Sequence, residues 1–206
     1  KNKKSESVMG AQFVPLFRTI RKRTKMEQLL EVKNLSVSID GPAGEVQAVR
    51  DVSFSLKKGE VLAIVGESGC GKSMLCKSVM KLLPPSARIT NGSISVCGQD
   101  ITGYREKEMQ NLRGKTFSMI FQDPMTALNP TIKIGKQIAE AVIIHNKKSS
   151  KEEVYQKVLE LMELVGITHP KERYHQYPWQ FSGGMRQRCV MAIALAADPD
   201  ILFADE

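Results

Sequence analysis

Gly66-Glu67-Ser68-Gly69-Cys70-Gly71-Lys72-Ser73 is the stretch that decides the fold. It fits G-x-x-x-x-G-K-S/T at every fixed position, the pattern of a loop that wraps phosphate. Val61-Leu62-Ala63-Ile64-Val65 before it is an apolar run of strand length. Residues 74–83 after it read as a helix that Pro84-Pro85 stops. Strand, glycine loop and helix are what the chemistry needs. Glycines let the backbone curl until successive N–H groups aim at one anion, and the helix N-terminus adds its dipole. Gly66, Glu67, Ser68, Gly69, Cys70, Gly71, Lys72, Ser73 and Met74 are therefore candidate nucleotide contacts. Lys72 supplies a mobile cation for the β- and γ-phosphates, and Ser73 a hydroxyl for Mg²⁺.

Two further segments bear on the same chemistry. Ile201-Leu202-Phe203-Ala204-Asp205-Glu206 is a short apolar run followed by two carboxylates. Such a strand would deliver Asp205 to the metal through water, with Glu206 polarising the attacking water as general base. Phe181-Ser182-Gly183-Gly184-Met185 precedes a helical run over residues 186–197. Ser182 can cap that helix, and the two glycines leave its first N–H groups open to an outside anion. Read alone, each segment is ordinary: an apolar strand reaching a polar loop, and a capped helix with a glycine entry.

Together and in this order the segments resemble ATP-binding-cassette (ABC) ATPases. Residues 181–185 resemble the signature motif, and Phe121-Gln122-Asp123-Pro124 the Q-loop. Two longer stretches narrow the branch. Residues 119–130, Met-Ile-Phe-Gln-Asp-Pro-Met-Thr-Ala-Leu-Asn-Pro, resemble the ATPase subunits of oligopeptide, dipeptide and nickel importers, as do residues 177–188. The resemblance implies an α/β fold. Its parts are a P-loop NTPase (RecA-like) core, an antiparallel β subdomain and an inserted α-helical subdomain. It implies ATP and Mg²⁺, with Ser73, Gln122 and Asp205 at the metal and Glu206 and Gln122 as catalytic residues. Ser182, Gly183, Gly184 and Met185 would meet the nucleotide held by a second cassette, paired head to tail. Two membrane permease subunits, and indirectly an extracytoplasmic substrate-binding protein, complete the implied assembly. Its place would be peripheral, at the cytoplasmic face of the cell membrane. Two alternatives stay open: a nucleotide-binding fragment without turnover, and a soluble cassette ATPase of DNA repair or translation.

The sequence departs from the family pattern at three positions. Phe181 replaces a Leu, Trp179 stands where this branch commonly has His, and Ile39 occupies the place where an aromatic residue usually stacks on adenine. Ile39 can cover one face of a base but cannot π-stack. The chain is also expected to be C-terminally incomplete, because a D-loop and a γ-phosphate His would follow Glu206 in the family. As given, it is expected to bind nucleotide and turn it over poorly.

Charge separates the chain into two parts. The net charge is +8, but residues 1–25 carry eight of the 30 Lys/Arg and only one of the 22 Asp/Glu. The remainder is nearly neutral, which argues against nucleic acid as a partner. Residues 1–25 read as a basic extension, disordered or lying on a membrane surface, and residues 26–206 as the ATP-binding domain. Within that domain, residues 26–122 and 198–206 would form the nucleotide-binding core and residues 123–197 the helical subdomain. Strands are expected over residues 29–39, 46–56, 93–96 and 116–120, with a polar helix over 105–112. Ile134, Ile138, Ala141 and Val142 keep helical spacing, as do Val154, Val158, Leu161, Met162 and Val165. Ser150 caps the second of these helices. Cys70, Cys76, Cys97 and Cys189 show no C-x-x-C spacing and read as reduced thiols. His145 and His169 read as solvated residues of polar connections.

Removing residues 1–25 is expected to leave melting temperature and nucleotide affinity within error of the parent. A large fall in melting temperature, read by calorimetry, would contradict it.

Overall fold

The computed structural model describes residues 28–42, 44–121 and 123–205. Strands β1 (Gln28–Gly41) and β2 (Gly44–Lys57) form a long antiparallel pair, with β3 (Ala87–Val96) on the other side of β1. The two-residue β4 (Gln99–Asp100) completes a sheet of order β2-β1-β3-β4. Leu30 and Val32 of β1 are buried, the register shifts between Val32 and Leu35, and Leu35 and Val37 then resume the buried row. The irregularity keeps both apolar pairs on the core face, where an uninterrupted period of two would have turned one outward. Gly92 of β3 lies against it at φ +96, and a Cβ there would stand 2.5 Å from the Lys33 carbonyl oxygen and 2.6 Å from that of Asn34.

Helix α1 (Lys72–Val79) packs Leu75 and Val79 onto this sheet. It ends short of the expected residue 83, and the reason is visible. Lys81 turns into the left-handed region at φ 50. Its ammonium donates to the carbonyls of Thr102 (2.6 Å) and Tyr104 (2.7 Å). The Arg113 guanidinium donates to the carbonyls of Met80 and Lys81. The Leu82 N–H then donates to the Lys77 carbonyl at 2.8 Å, the bond that closes a helix after a left-handed residue, and Arg113 takes up two carbonyls just beyond the end. Helix α2 (Glu106–Leu112) then leads to β5 (Phe117–Ile120).

Between β5 and its parallel partner β6 (Ile201–Ala204) come five helices: α3 (Pro124–Ala127), α4 (Ile134–His145), α5 (Lys151–Leu164), α6 (Pro170–Arg173) and α7 (Gly183–Leu195). Ser150 caps α5 as its sequence suggested, its Oγ accepting from the Glu153 N–H while Glu153 accepts from the Ser150 N–H. Ile134, Ile138, Val142, Val158, Met162, Cys189 and Ala192 form the helical core. The two short strands divide the interior. Phe117, Met119, Ile201 and Phe203 face the antiparallel sheet and α1, whereas Ile120 and Leu202 face the helices. This strand pair is the wall that both cores share.

Two further expectations fail. Residues 61–65 are not a strand: no strand among the described residues pairs with them, and Val61 and Val65 are 74% and 91% exposed. Strand propensity without an adjacent ladder does not make a strand. His145 is not simply solvated. It ends α4 and packs on Gly114, where an added Cβ would stand 2.2 Å from its imidazole Nε2. Burial, and then the Lys115 charge, lower its pKa. No described helix is long and apolar enough to cross a membrane.

Gly92→Ala should destabilise the protein by at least about 1–3 kcal/mol, since it combines positive φ with backbone overlap. Gly103→Ala, where a Cβ meets nothing within 4 Å, should stay within about 0.5 kcal/mol. Urea denaturation compares the two; equal midpoints would contradict the packing described.

Candidate functional site

The phosphate loop sits at the N-terminus of α1 and is exposed throughout residues 61–70. Gly71 precedes the helix at φ 99, and a Cβ there would stand 2.2 Å from the Ala48 carbonyl oxygen. Only glycine allows the loop to turn that close to β2. The Cys70 N–H donates to the Glu67 carbonyl, and the helix opens with Leu75 N–H to Gly71 carbonyl at 2.9 Å. The Lys72 ammonium reaches back over the loop, donating to the carbonyls of Gly66 and Glu67 at 2.8 Å each. It occupies the mouth of the loop as an internal cation with two neutral acceptors.

Register brings the second element in. β5 and β6 pair from Phe117 with Ile201 to Ile120 with Ala204, and the Asp205 N–H extends the ladder to the Ile120 carbonyl at 3.0 Å. Asp205 is thereby delivered to the start of α1, where Ser73 Oγ donates to Asp205 Oδ1 at 2.7 Å. Its charge reaches Cys76, one turn along α1, whose pKa is raised by burial and then by Asp205. A hydroxyl and a carboxylate are hard oxygen donors, the set Mg²⁺ prefers when it takes its remaining ligands from phosphates and water. The donors therefore fit the ion. Among the described residues no cluster of three or more His, Cys, Asp or Glu offers another metal site.

The remaining predicted residues lie in three places. Ser182 caps α7, its Oγ accepting from the Met185 N–H at 3.3 Å. Ser182, Gly183 and Gly184 are exposed, and a Cβ on either glycine would meet nothing within 4 Å. Phe181 anchors the segment: its ring is buried in the helical core under the Arg173 guanidinium, 5.5 Å from the centroid. Met185 packs on that same core, whereas Leu75 and Met74 belong to the other. The signature segment is thus built on a different body of packing from Lys72, Ser73 and Asp205. Ile39 is half-buried on β1 between Val46 and Ala87. Val46 lies two residues along β2 from Ala48, the residue that Gly71 packs against. Gln122 and Glu206 lie outside the described residues.

Two features went unread in the sequence. The Ala48 carbonyl buttresses Gly71 through backbone alone, so no side chain announces it. Trp179 stacks on Tyr177 with ring centroids 5.9 Å apart and planes 9° apart. Lys133 lies over the Tyr177 ring at 5.9 Å. The two aromatic residues flank Pro178, which opens a 3-10 turn (Pro178–Gln180), and that spacing was the available signal.

Comparison with known proteins agrees with this geometry. The profile of the family described as ABC transporter matches residues 49–206. The chain is 57% identical over 182 residues to the dipeptide transport ATP-binding protein DppD of Bacillus subtilis (strain 168), covering 88% of this chain and 54% of that protein. It is 55% identical over 183 residues to the oligopeptide transport ATP-binding protein OppD of the same organism, covering 88% and 51%. The chain therefore spans about half the length of the curated relatives it matches. Its fold matches the dimeric post-hydrolysis ATP-binding cassette MJ0796 bound to ADP and Pi with a TM-score of 0.76 at 24% identity, covering 85% of this chain and 73% of that one.

The four thiols should react in a definite order. Cys70 and Cys97 are both exposed, and Cys70 Sγ alone stands 3.9 Å from the Lys72 ammonium. Burial pushes Cys189 up to about 12 and raises Cys76 and Cys97, with Asp205 and Asp200 adding to the last two respectively. A raised pKa leaves less thiolate at neutral pH and slows alkylation. Maleimide should therefore label Cys70 first, and MgATP should protect it. Mass-spectrometric mapping decides, and Cys70 labelling indifferent to MgATP would count against a nucleotide at this loop.

Proposed function

The chain belongs to the ABC transporter family, and from that premise we propose that it is the nucleotide-binding region of an ATPase subunit that drives import of short peptides. The observation that carries the proposal is the 2.7 Å contact of Ser73 with Asp205, which joins the phosphate loop to the end of β6. The likeness to dipeptide and oligopeptide transport ATP-binding proteins supports peptides over nickel as the cargo class. In this reading Lys72 leaves the carbonyls of Gly66 and Glu67 and turns its ammonium to the β- and γ-phosphates of ATP. Ser73 and Asp205 hold Mg²⁺, with Gln122 as a further contact. The bound ion supplies charge neutralisation on the phosphates. Glu206, next after Asp205, orients the attacking water and takes its proton.

Ser182, Gly183, Gly184 and Met185 serve a second cassette. Their open helix N-terminus gives N–H groups to an anion presented from outside, so two cassettes pair head to tail around ATP. Hydrolysis removes the γ-phosphate that both hold, and the pair opens. The helical cluster then passes this change to two permease subunits, with a substrate-binding protein acting beyond the membrane. The subunit sits peripherally at the cytoplasmic face.

Lys72→Ala should weaken MgATP binding by at least tenfold, since a charge-assisted contact contributes on the order of 1.5–3 kcal/mol. Glu206→Gln, made in the protein that carries this region, should keep binding and lose phosphate release. A Lys72→Ala protein that bound a fluorescent ATP analogue like wild type would refute the site.

A further inference from the structure

Among the described residues, the sheet beside the nucleotide site offers aliphatic side chains and no aromatic ring. The site's described sheet neighbours are Ala48 and Val49 of β2, and Ile39, where the family resemblance expects the stacking residue, pairs with Val46, itself 60% exposed. Aliphatic side chains can cover one face of a base but offer no ring for it to stack on. The one tryptophan of the chain lies elsewhere, in a setting that suits such a partner. Trp179 is 68% exposed. Its ring is held parallel to Tyr177, and Tyr177 is covered in turn by Lys133. The turn that carries it is rigid. Pro178 is buried, the Tyr177 N–H donates to Gln180 Oε1 at 2.9 Å, and Phe181 is plugged into the helical core. A large ring so fixed and so exposed is preorganised to receive a flat partner.

Position supplies the second half of the argument. Trp179 precedes Ser182 by three residues, so the two are at most about 10 Å apart along an extended backbone. A nucleotide whose γ-phosphate meets the α7 N-terminus extends its ribose and base away from that point over a similar reach. The exposed Trp179 ring is then the aromatic surface closest in sequence to the phosphate contact.

We propose that Trp179 stacks on the purine of the ATP bound to a second copy of this chain. Ile39 and Val46 of that copy form the opposite, aliphatic wall. The base is thus recognised by an aromatic ring in trans. This rests on the head-to-tail reading of the preceding subsection, and the experiment separates the two. Because Trp179 is the sole tryptophan, its emission reports its own environment. The protein is titrated with a non-hydrolysable MgATP analogue and, separately, with Mg-tripolyphosphate, which has phosphates but no base. Sedimentation velocity follows association in parallel. The analogue should produce dimers and quench Trp179, with a concentration dependence that tracks dimer formation. Tripolyphosphate should leave the emission unchanged. Trp179→Ala should weaken the analogue's apparent affinity in the dimer about tenfold, as expected for losing one base–aromatic stack, and Trp179→Phe should restore most of it. Dimers that form with unaltered Trp179 emission would overturn the stacking and leave the head-to-tail reading standing. Quenching in the monomer would overturn it too, placing the ring on its own chain's nucleotide. Failure to dimerise with the analogue bound would remove the head-to-tail reading and this inference with it.

Discussion

Ser73 and Asp205 are 132 residues apart in the chain and 2.7 Å apart in space, and the candidate site exists only because they meet. One stands in the first turn of α1, the other one residue past β6. Bringing them together requires α1 to seat on the antiparallel sheet and β6 to find its register on β5. A one-residue slip of β6 would turn Ile201 and Phe203 toward the helices and carry the Asp205 carboxylate away from Ser73. The strand's alternating burial, Ile201 and Phe203 one way and Leu202 the other, is what makes that slip costly. The precision of the polar contact is therefore set by apolar packing on both sides of a four-residue strand.

The phosphate loop is held in an opposite manner. On its C-terminal side it is pinned, by Gly71 against Ala48 and by the start of α1. On its N-terminal side residues 61–65 are apolar and open to solvent. Burying such a run against a neighbouring ladder is worth roughly 1.5–3 kcal/mol per large aliphatic side chain, and none of that is realised among the described residues. Lys72 partly makes up the difference locally by binding the carbonyls of Gly66 and Glu67. The loop thus carries its own stand-in for order on the side where packing is missing.

Much of this was legible beforehand, and the reasons are specific. The caps at Ser150 and Ser182 are local chemistry, written in four or five adjacent residues, and both hold in space. The apolar runs at Phe117 and Ile201 were readable as strands because short branched and aromatic runs suit a buried ladder. What failed depended on distant partners. Residues 61–65 have strand composition but no ladder among the described residues. The α1 helix stops at Val79, where Lys81 turns left-handed and holds Thr102 and Tyr104, and where Arg113, more than thirty residues on, takes the Met80 and Lys81 carbonyls. His145 looked like a loop residue until Gly114 provided the space it fills. The Ala48 carbonyl could not be anticipated at all, since any residue presents the same group. The geometry at Trp179 was missed although the residue itself had been noticed as a departure.

The shared strand wall has a further consequence, for how the chain reaches this shape. β5 pairs with β6 across more than eighty residues, a separation at which parallel pairing closes slowly. The intervening segment is mostly helical, and its helices pack on one another, α4 on α5 and α7 back on both. Once they have condensed, residues 120 and 201 are tethered by a compact body instead of a loose loop, and the entropy of joining them falls. The helical insertion then acts as its own jig: it packs on itself and hands two pre-aligned ends to the sheet.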